Sequence, residues 1–185
     1  MSDKCRIYIC LYFQQGVTSV DPARFHWGLW VEAKGSRGPG DFFHVQSHQQ
    51  MRTSSGVQPA HWAYDTSVGK AKTPKWSKSN YLIGRVLIGK LPSGYNATHV
   101  DAACRRVAPP AADGRETCKT WTGKAVRELQ RSNYLSKFDW AKVSTDIETK
   151  GRSWWAKDGK RPSGQGDKHM WDYFKLENNM HCTVM

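Results

Sequence analysis

The sequence predicts an α+β fold: an antiparallel sheet with helices packed on one side. Two observations carry this. Residues 6–91 hold five short runs rich in aromatic and β-branched side chains, set apart by Gly, Pro and Ser clusters. Residues 97–131 instead repeat apolar side chains at helical spacing. Strands first and helices afterwards is the order of an α+β chain and not of alternating βαβ units. With 185 residues, 38% of them hydrophobic and nine of them Trp, the chain can bury one core, and a single domain over 1–185 follows.

Each element has its own signature. RIYICLYF (6–13) is dominated by β-branched and aromatic side chains; its polar breaks and the lack of a small-residue cleavage site set it apart from a signal peptide. FHWGLWVEA (25–33) and DFFHVQ (41–46) flank GSRGPG, which reads as a hairpin loop. HWAYDTSV (61–68) and NYLIGRVLIGKL (80–91) complete the strands. ATHVDAACRRV (97–107) puts Val100, Ala103, Cys104 and Val107 on one helical face. APPAADG breaks that helix, and a second one over 117–131 lines up Cys118, Trp121, Thr122, Ala125 and Leu129. Asp113 and Glu116 have the DxxE spacing of a capping box for its start. A Trp-rich extension (138–185) follows the core at 6–131. Within it KDGKRPSGQGDKH (157–169) reads as a loop and HMWDYFKL (169–176) as a last strand or helix.

Bulk chemistry narrows the classes. No run approaches the ~18 apolar residues of a spanning helix. The five cysteines, at 5, 10, 104, 118 and 182, lack CxxC spacing and form neither a zinc framework nor a secreted disulfide set. They read as thiols of a reducing, cytoplasmic compartment. The net charge of +12 is spread along the chain, with no basic arm, zinc finger or RNP signature. Such a surface attracts polyanions and anionic lipid weakly, without the pattern of dedicated nucleic-acid recognition.

Two histidines and one cysteine carry the chemistry. Alternation along 26–31 puts His26, Gly28 and Trp30 on one sheet face; along 42–46 it puts Phe42, His44 and Gln46 on one face. A hairpin turning near Gly35 sets His26 directly opposite His44, with Cβ atoms about 4.5–5.5 Å apart, where imidazoles can share a hydrogen bond. Cys118 opens the 117–131 helix, where the dipole and the orphan N–H groups of the first turn favour thiolate. Cys118 then attacks an acyl carbon, His26 handles its proton, and His44 orients His26 through its second nitrogen. The Cys118 N–H is the oxyanion donor. The scheme requires no metal and no organic cofactor.

The order HWGLWVEAKG, DFFHVQ and then TCKTWTGKAVREL resembles the permuted papain-like fold. That superfamily includes the NlpC-type peptidases, lecithin:retinol acyltransferase and the small phospholipase/acyltransferases related to it. Its members carry an HW-A-L-Y-V-like strand, a second strand ending in Ile/Val-His, and a Cys opening a helix. The resemblance covers residues 6 to 131 and implies a circularly permuted papain-like sheet. It implies His26 as base, His44 as orienting imidazole and Cys118 as nucleophile of a hydrolase or acyltransferase that forms a thioester. The substrate it implies is a small-molecule, lipid or peptide acyl group. Two departures stand out. Thr117 precedes the thiol where the acyltransferases favour Asn, and WAYDTSVGKAKTPKW has no counterpart.

Other readings remain open. Taken singly, His26, His44 and Cys118 are each what a packed interior also contains; their joint order is what makes them a site. One alternative is a non-enzymatic binding module on the same scaffold, holding an anionic or aromatic ligand on its basic, Trp-rich surface. Another is a peptidase or isopeptidase. His61-Trp62 repeats the His26-Trp27 dipeptide and offers a rival base. The chain ends Cys182-Thr183-Val184-Met185, a C-a-a-X box of the farnesyl type. A lipid on Cys182, with Trp154, Trp155 and Trp171 at headgroup level, would associate the protein weakly with an anionic membrane.

Overall fold

A computed structural model of the chain describes residues 4–13, 25–34, 40–48, 51–53, 56–58, 61–69, 81–157 and 169–174. Among these the strands are β1 (Arg6–Phe13), β2 (Phe25–Glu32), β3 (Asp41–His48), β4 (Met51–Thr53), β5 (Gly56–Gln58), β6 (His61–Thr66), β7 (Leu82–Lys90) and β8 (Met170–Asp172). The helices are α1 (Ala97–Cys104), α2 (Cys118–Arg131) and α3 (Trp140–Lys157). Six strands form one sheet in the order β6-β3-β2-β1-β7-β8, while β4 and β5 make a small ribbon of their own. Every neighbouring pair in the sheet is antiparallel except β7 with β8. The fold is α+β, as the order of sequence patterns predicts.

Alternation along the strands explains why the helices share one face. Ile7, Ile9 and Leu11 of β1 and Phe25, Trp27, Leu29 and Val31 of β2 point the same way. They join one core with Val100 and Cys104 of α1, Trp121, Ala125 and Leu129 of α2, and Val143, Ile147 and Trp154 of α3. The other face carries a second cluster of Tyr8, Cys10, Tyr12, Trp30, Phe42 and Leu82. Glu32 is buried there and accepts hydrogen bonds from Trp30 Nε1 at 3.2 Å and Arg85 Nη1 at 3.0 Å. The Arg85 guanidinium in turn lies over the rings of Tyr8 and Trp30. Pairing of this kind is what makes a buried carboxylate tolerable.

Three local expectations are corrected. The α2 cap is Thr117, whose N–H donates to Thr120 Oγ1 at 2.6 Å. Asp113 instead accepts from the Arg115 N–H within its own turn and Glu116 pairs with Lys124, so neither carboxylate caps the helix. The core also continues past residue 131, because α3 and Tyr173 enter it. Lastly, Trp154 and Trp155 are buried, stacked on His169 and Phe13 respectively, and so are withdrawn from any lipid headgroup. Met170–Asp172 resolves the last segment as a strand. Most of the 157–169 stretch, and Cys182 with its C-terminal box, lie outside the described residues. Among the described residues no helix is long and apolar enough to cross a membrane.

Candidate active site

The pairing of β2 with β3 decides where the two imidazoles meet. Leu29 pairs with Phe43, Trp30 with Phe42 and Val31 with Asp41. One step further, that register sets His44 against Gly28, two residues from the direct opposition to His26 that a turn near Gly35 would give. A slip of two keeps every side chain on its face. His26 and His44 therefore meet on the diagonal, with His26 Nε2 at 2.8 Å from His44 Nδ1 and the ring planes at 82°. Gly28 makes the room: a Cβ there would run into the ring of Phe42 and stand 3.0 Å from Phe43 O. Phe42 uses that space to lie against His44, ring centroids 4.6 Å apart.

His44 is 1% exposed, and its second nitrogen looks toward β6. Asp65 is its cross-strand partner there. Asp65 Oδ2 lies 3.8 Å from His44 Nε2 and accepts from Gln46 Nε2 at 3.0 Å, while Gln46 Nε2 is 3.3 Å from His44 Nε2. The other carboxylate oxygen accepts the Thr66 N–H at 2.8 Å. Sequence reasoning placed Gln46 on the His44 face but missed Asp65. Only the register between β3 and β6 brings it there.

Cys118 is the first residue of α2, where the N–H groups of the opening turn have no partner within the helix. Its sulfur reaches β2 beyond the end of the β2–β3 ladder. Sγ accepts from Trp27 N at 3.5 Å and lies 4.0 Å from Phe25 O, the two backbone groups that flank His26. The thiol is 5% exposed and belongs to the helix-side core. His26 leaves the strand on the other face, so the edge of β2 at residue 26 separates sulfur from ring. The structure thus joins His26 to His44 directly and seats Cys118 on the strand that bears His26. The hydrogen bond of His26 goes to His44 through Nε2, and Nδ1 is unengaged among the described residues.

Burial pushes His26 down to about 4 from an ordinary 6.5, so the ring is neutral at pH 7 and a weaker base than an exposed histidine. Burial, reinforced by the charge of Asp101, raises the Cys104 thiol far above its usual range and makes it inert. The rival base His61 stacks on His48, its cross-strand partner, with centroids 4.9 Å apart. That pair is four residues along β3 from His44. Among the described residues no three His, Cys, Asp or Glu side chains converge as a metal ion would need.

A family model matches residues 4–180, nearly the whole chain. The chain belongs to DUF6914, a family of unknown function. No curated protein and no solved structure matches it.

Proposed function

We propose that the chain is a thiol-dependent hydrolase or acyltransferase in which Cys118 forms a thioester with an acyl substrate. One observation carries this reading. The thiol rests on the backbone to either side of His26, a ring bound at 2.8 Å to a second imidazole. To serve as base, His26 must bring Nδ1, the nitrogen that His44 does not occupy, past the edge of β2 to take the proton from Cys118 Sγ. The thiolate attacks the acyl carbon, and the oxyanion is met by N–H groups of the first turn of α2. As the adduct collapses, the leaving alkoxide or amine takes the proton from the imidazole; water or an amine then resolves the thioester. The resemblance to the permuted papain-like superfamily supports the same cast in the same order. Prenylation at Cys182 belongs to this proposal and would bring the enzyme weakly to an anionic membrane.

Iodoacetamide at neutral pH should modify Cys118 faster than Cys5, Cys10, Cys104 and Cys182. Cys118→Ala should abolish hydrolysis of an activated acyl ester, and His26→Gln should slow it by about 10²-fold or more. Alkylation of Cys118 no faster than that of the inert Cys104 would sink the reading. Competition between the ester and a peptide amide separates acyltransferase from peptidase.

A second reading, a non-catalytic binding module, is favoured by the thiol's 5% exposure and by its contacts with backbone. It expects no acyl transfer and a Cys118→Ala variant that keeps its ligand.

A further inference from the structure

We propose that the cleft at the far end of α2 binds the phosphate groups of an organic di- or polyphosphate through Lys4, Lys90 and Lys137. The cleft has a volume of about 470 Å³ and lies between the end of β7, the residues before β1 and the turn after α2. That is the size of a small-molecule site. Gln130, in its wall, is roughly 18 Å along α2 from Cys118, and the proposal does not rest on the thiol-enzyme reading.

Three lysines line the cleft and no carboxylate does. The acids closest to it in the chain are engaged elsewhere. Glu128 holds Arg106 and Arg131, and Asp139 accepts the Ala141 N–H at 2.8 Å. Among the described residues none of the three lysines has an ion-pair partner, whereas Lys119, Lys124 and Lys142 each pair with a carboxylate. The carboxyl end of α2 lies here and offsets part of the charge, but a helix end carries only about half an elementary charge. Three ammonium groups less that half leave an excess of about +2.5, which one carboxylate cannot neutralise and a diphosphate can. Lysine suits such a ligand, since it meets phosphate as a point charge.

The backbone under each lysine is fixed. Leu91 N donates to Cys5 O at 2.8 Å, which ties the Lys4 end of the chain to the end of β7. Gln130 Nε2 donates to Ser136 O at 3.1 Å and to Phe138 O at 3.4 Å, on either side of Lys137. Asn133 takes a left-handed φ of 58°, and Tyr134 N donates back to Leu129 O at 2.8 Å, which turns the chain out of α2. Leu135 then comes down on the bare backbone of Gly89, where a Cβ would stand 2.5 Å from its Cδ2. Leu91 and Leu135 form a buried floor, and the three exposed lysines form the rim. Tyr134 walls one side, its ring 4.9 Å from that of the exposed Tyr95, so the organic part of the ligand meets an aromatic surface beside the cations.

The test titrates inorganic pyrophosphate into the full chain, followed by calorimetry and by ¹H–¹⁵N spectra, with ADP as competitor. Lys90→Gln and Lys137→Gln are compared with Lys157→Gln, which removes the same charge from the exposed end of α3. Pyrophosphate should bind saturably and move the amides of Asn133, Leu135 and Lys137, and ADP should displace it. Each cleft variant should weaken binding by about ten-fold or more, and Lys157→Gln by less than about two-fold. Thermal melts of these surface variants should match that of the wild-type chain. Equal weakening in all three would reduce the effect to the general pull of a net charge of +12 and overturn the proposal, as would the absence of saturable binding. ADP that fails to displace pyrophosphate overturns the organic ligand. Vesicles of phosphatidylserine and phosphatidylcholine form a separate arm. Vesicle binding that is lost in the cleft variants, with no binding of pyrophosphate, would assign the lysines to a membrane and overturn the soluble phosphate.

Discussion

His26 is where a single side chain has the largest leverage. Burial holds its affinity for protons at about 4 in the fold, against 6.5 in an unfolded chain. Between those values the unfolded state binds a proton that the folded state refuses, so acid favours unfolding. The neutral ring costs nothing above pH 6.5; stability falls as pH drops through that value and levels off near pH 4, where both states are protonated. The loss amounts to at most about 3 kcal/mol, an upper bound because the residue keeps some contact with water. Urea unfolding of wild-type and His26→Gln at pH 7 and pH 4 measures it, and the variant should lose less stability on acidification. Equal losses in the two proteins would mean that His26 is not the group being titrated.

At the scale of elements, Gly28 and the β2–β3 register build the site together. Gly28→Ala puts a methyl group where the Phe42 ring sits, so Phe42 must move and His44 with it. The expected cost is about 1–3 kcal/mol in urea unfolding, accompanied by a weakened His26–His44 bond seen as a changed imidazole ¹⁵N shift. A stable variant with both shifts unmoved would show that the ring has room to spare. The elements also divide by how legible they are. β1, β2, β3, β6, β7, α1 and α2 announce themselves through local alternation or helical spacing, and the His26 face and Cys118 helix start were readable on those grounds. Register is not local: GSRGPG permits several loops, so the diagonal meeting of the rings and the approach of Asp65 appear only with the sheet assembled. The missed α3 has a physical reason. Its core stripe runs Val143, Ile147, Gly151, Trp154, and the glycine hides the period. That position is small because a Cβ there would run into Leu11 and approach Phe25 to 3.0 Å. β8 is three residues of parallel pairing with β7, a contact no neighbouring residue foretells.

For the whole molecule, the question is what residues beyond 131 contribute. Val143, Ile147, Trp154, Trp155 and Tyr173 are core residues, and Trp155 lies flat on Phe13 at 4.7 Å. Trp154 covers the bare backbone of Gly84, and Trp140 fills the space beside Gly123 of α2. Ile147→Ala alone should cost about 2–5 kcal/mol, against a total stability of about 5–15 kcal/mol for a domain of ordinary size. A chain ending at residue 131 loses all of these contacts and should show no cooperative thermal transition by circular dichroism. A truncated chain melting like the full one would make the last third an appendage. The site feels the same loss. Trp140 packs edge-on against Trp27, centroids 6.3 Å apart, and Trp27 supplies the N–H that meets the Cys118 sulfur. Removing α3 therefore loosens the strand on which the thiol is seated. If a truncated chain does keep some structure, its Cys118 should react with iodoacetamide at the rate and pH midpoint of an ordinary exposed thiol.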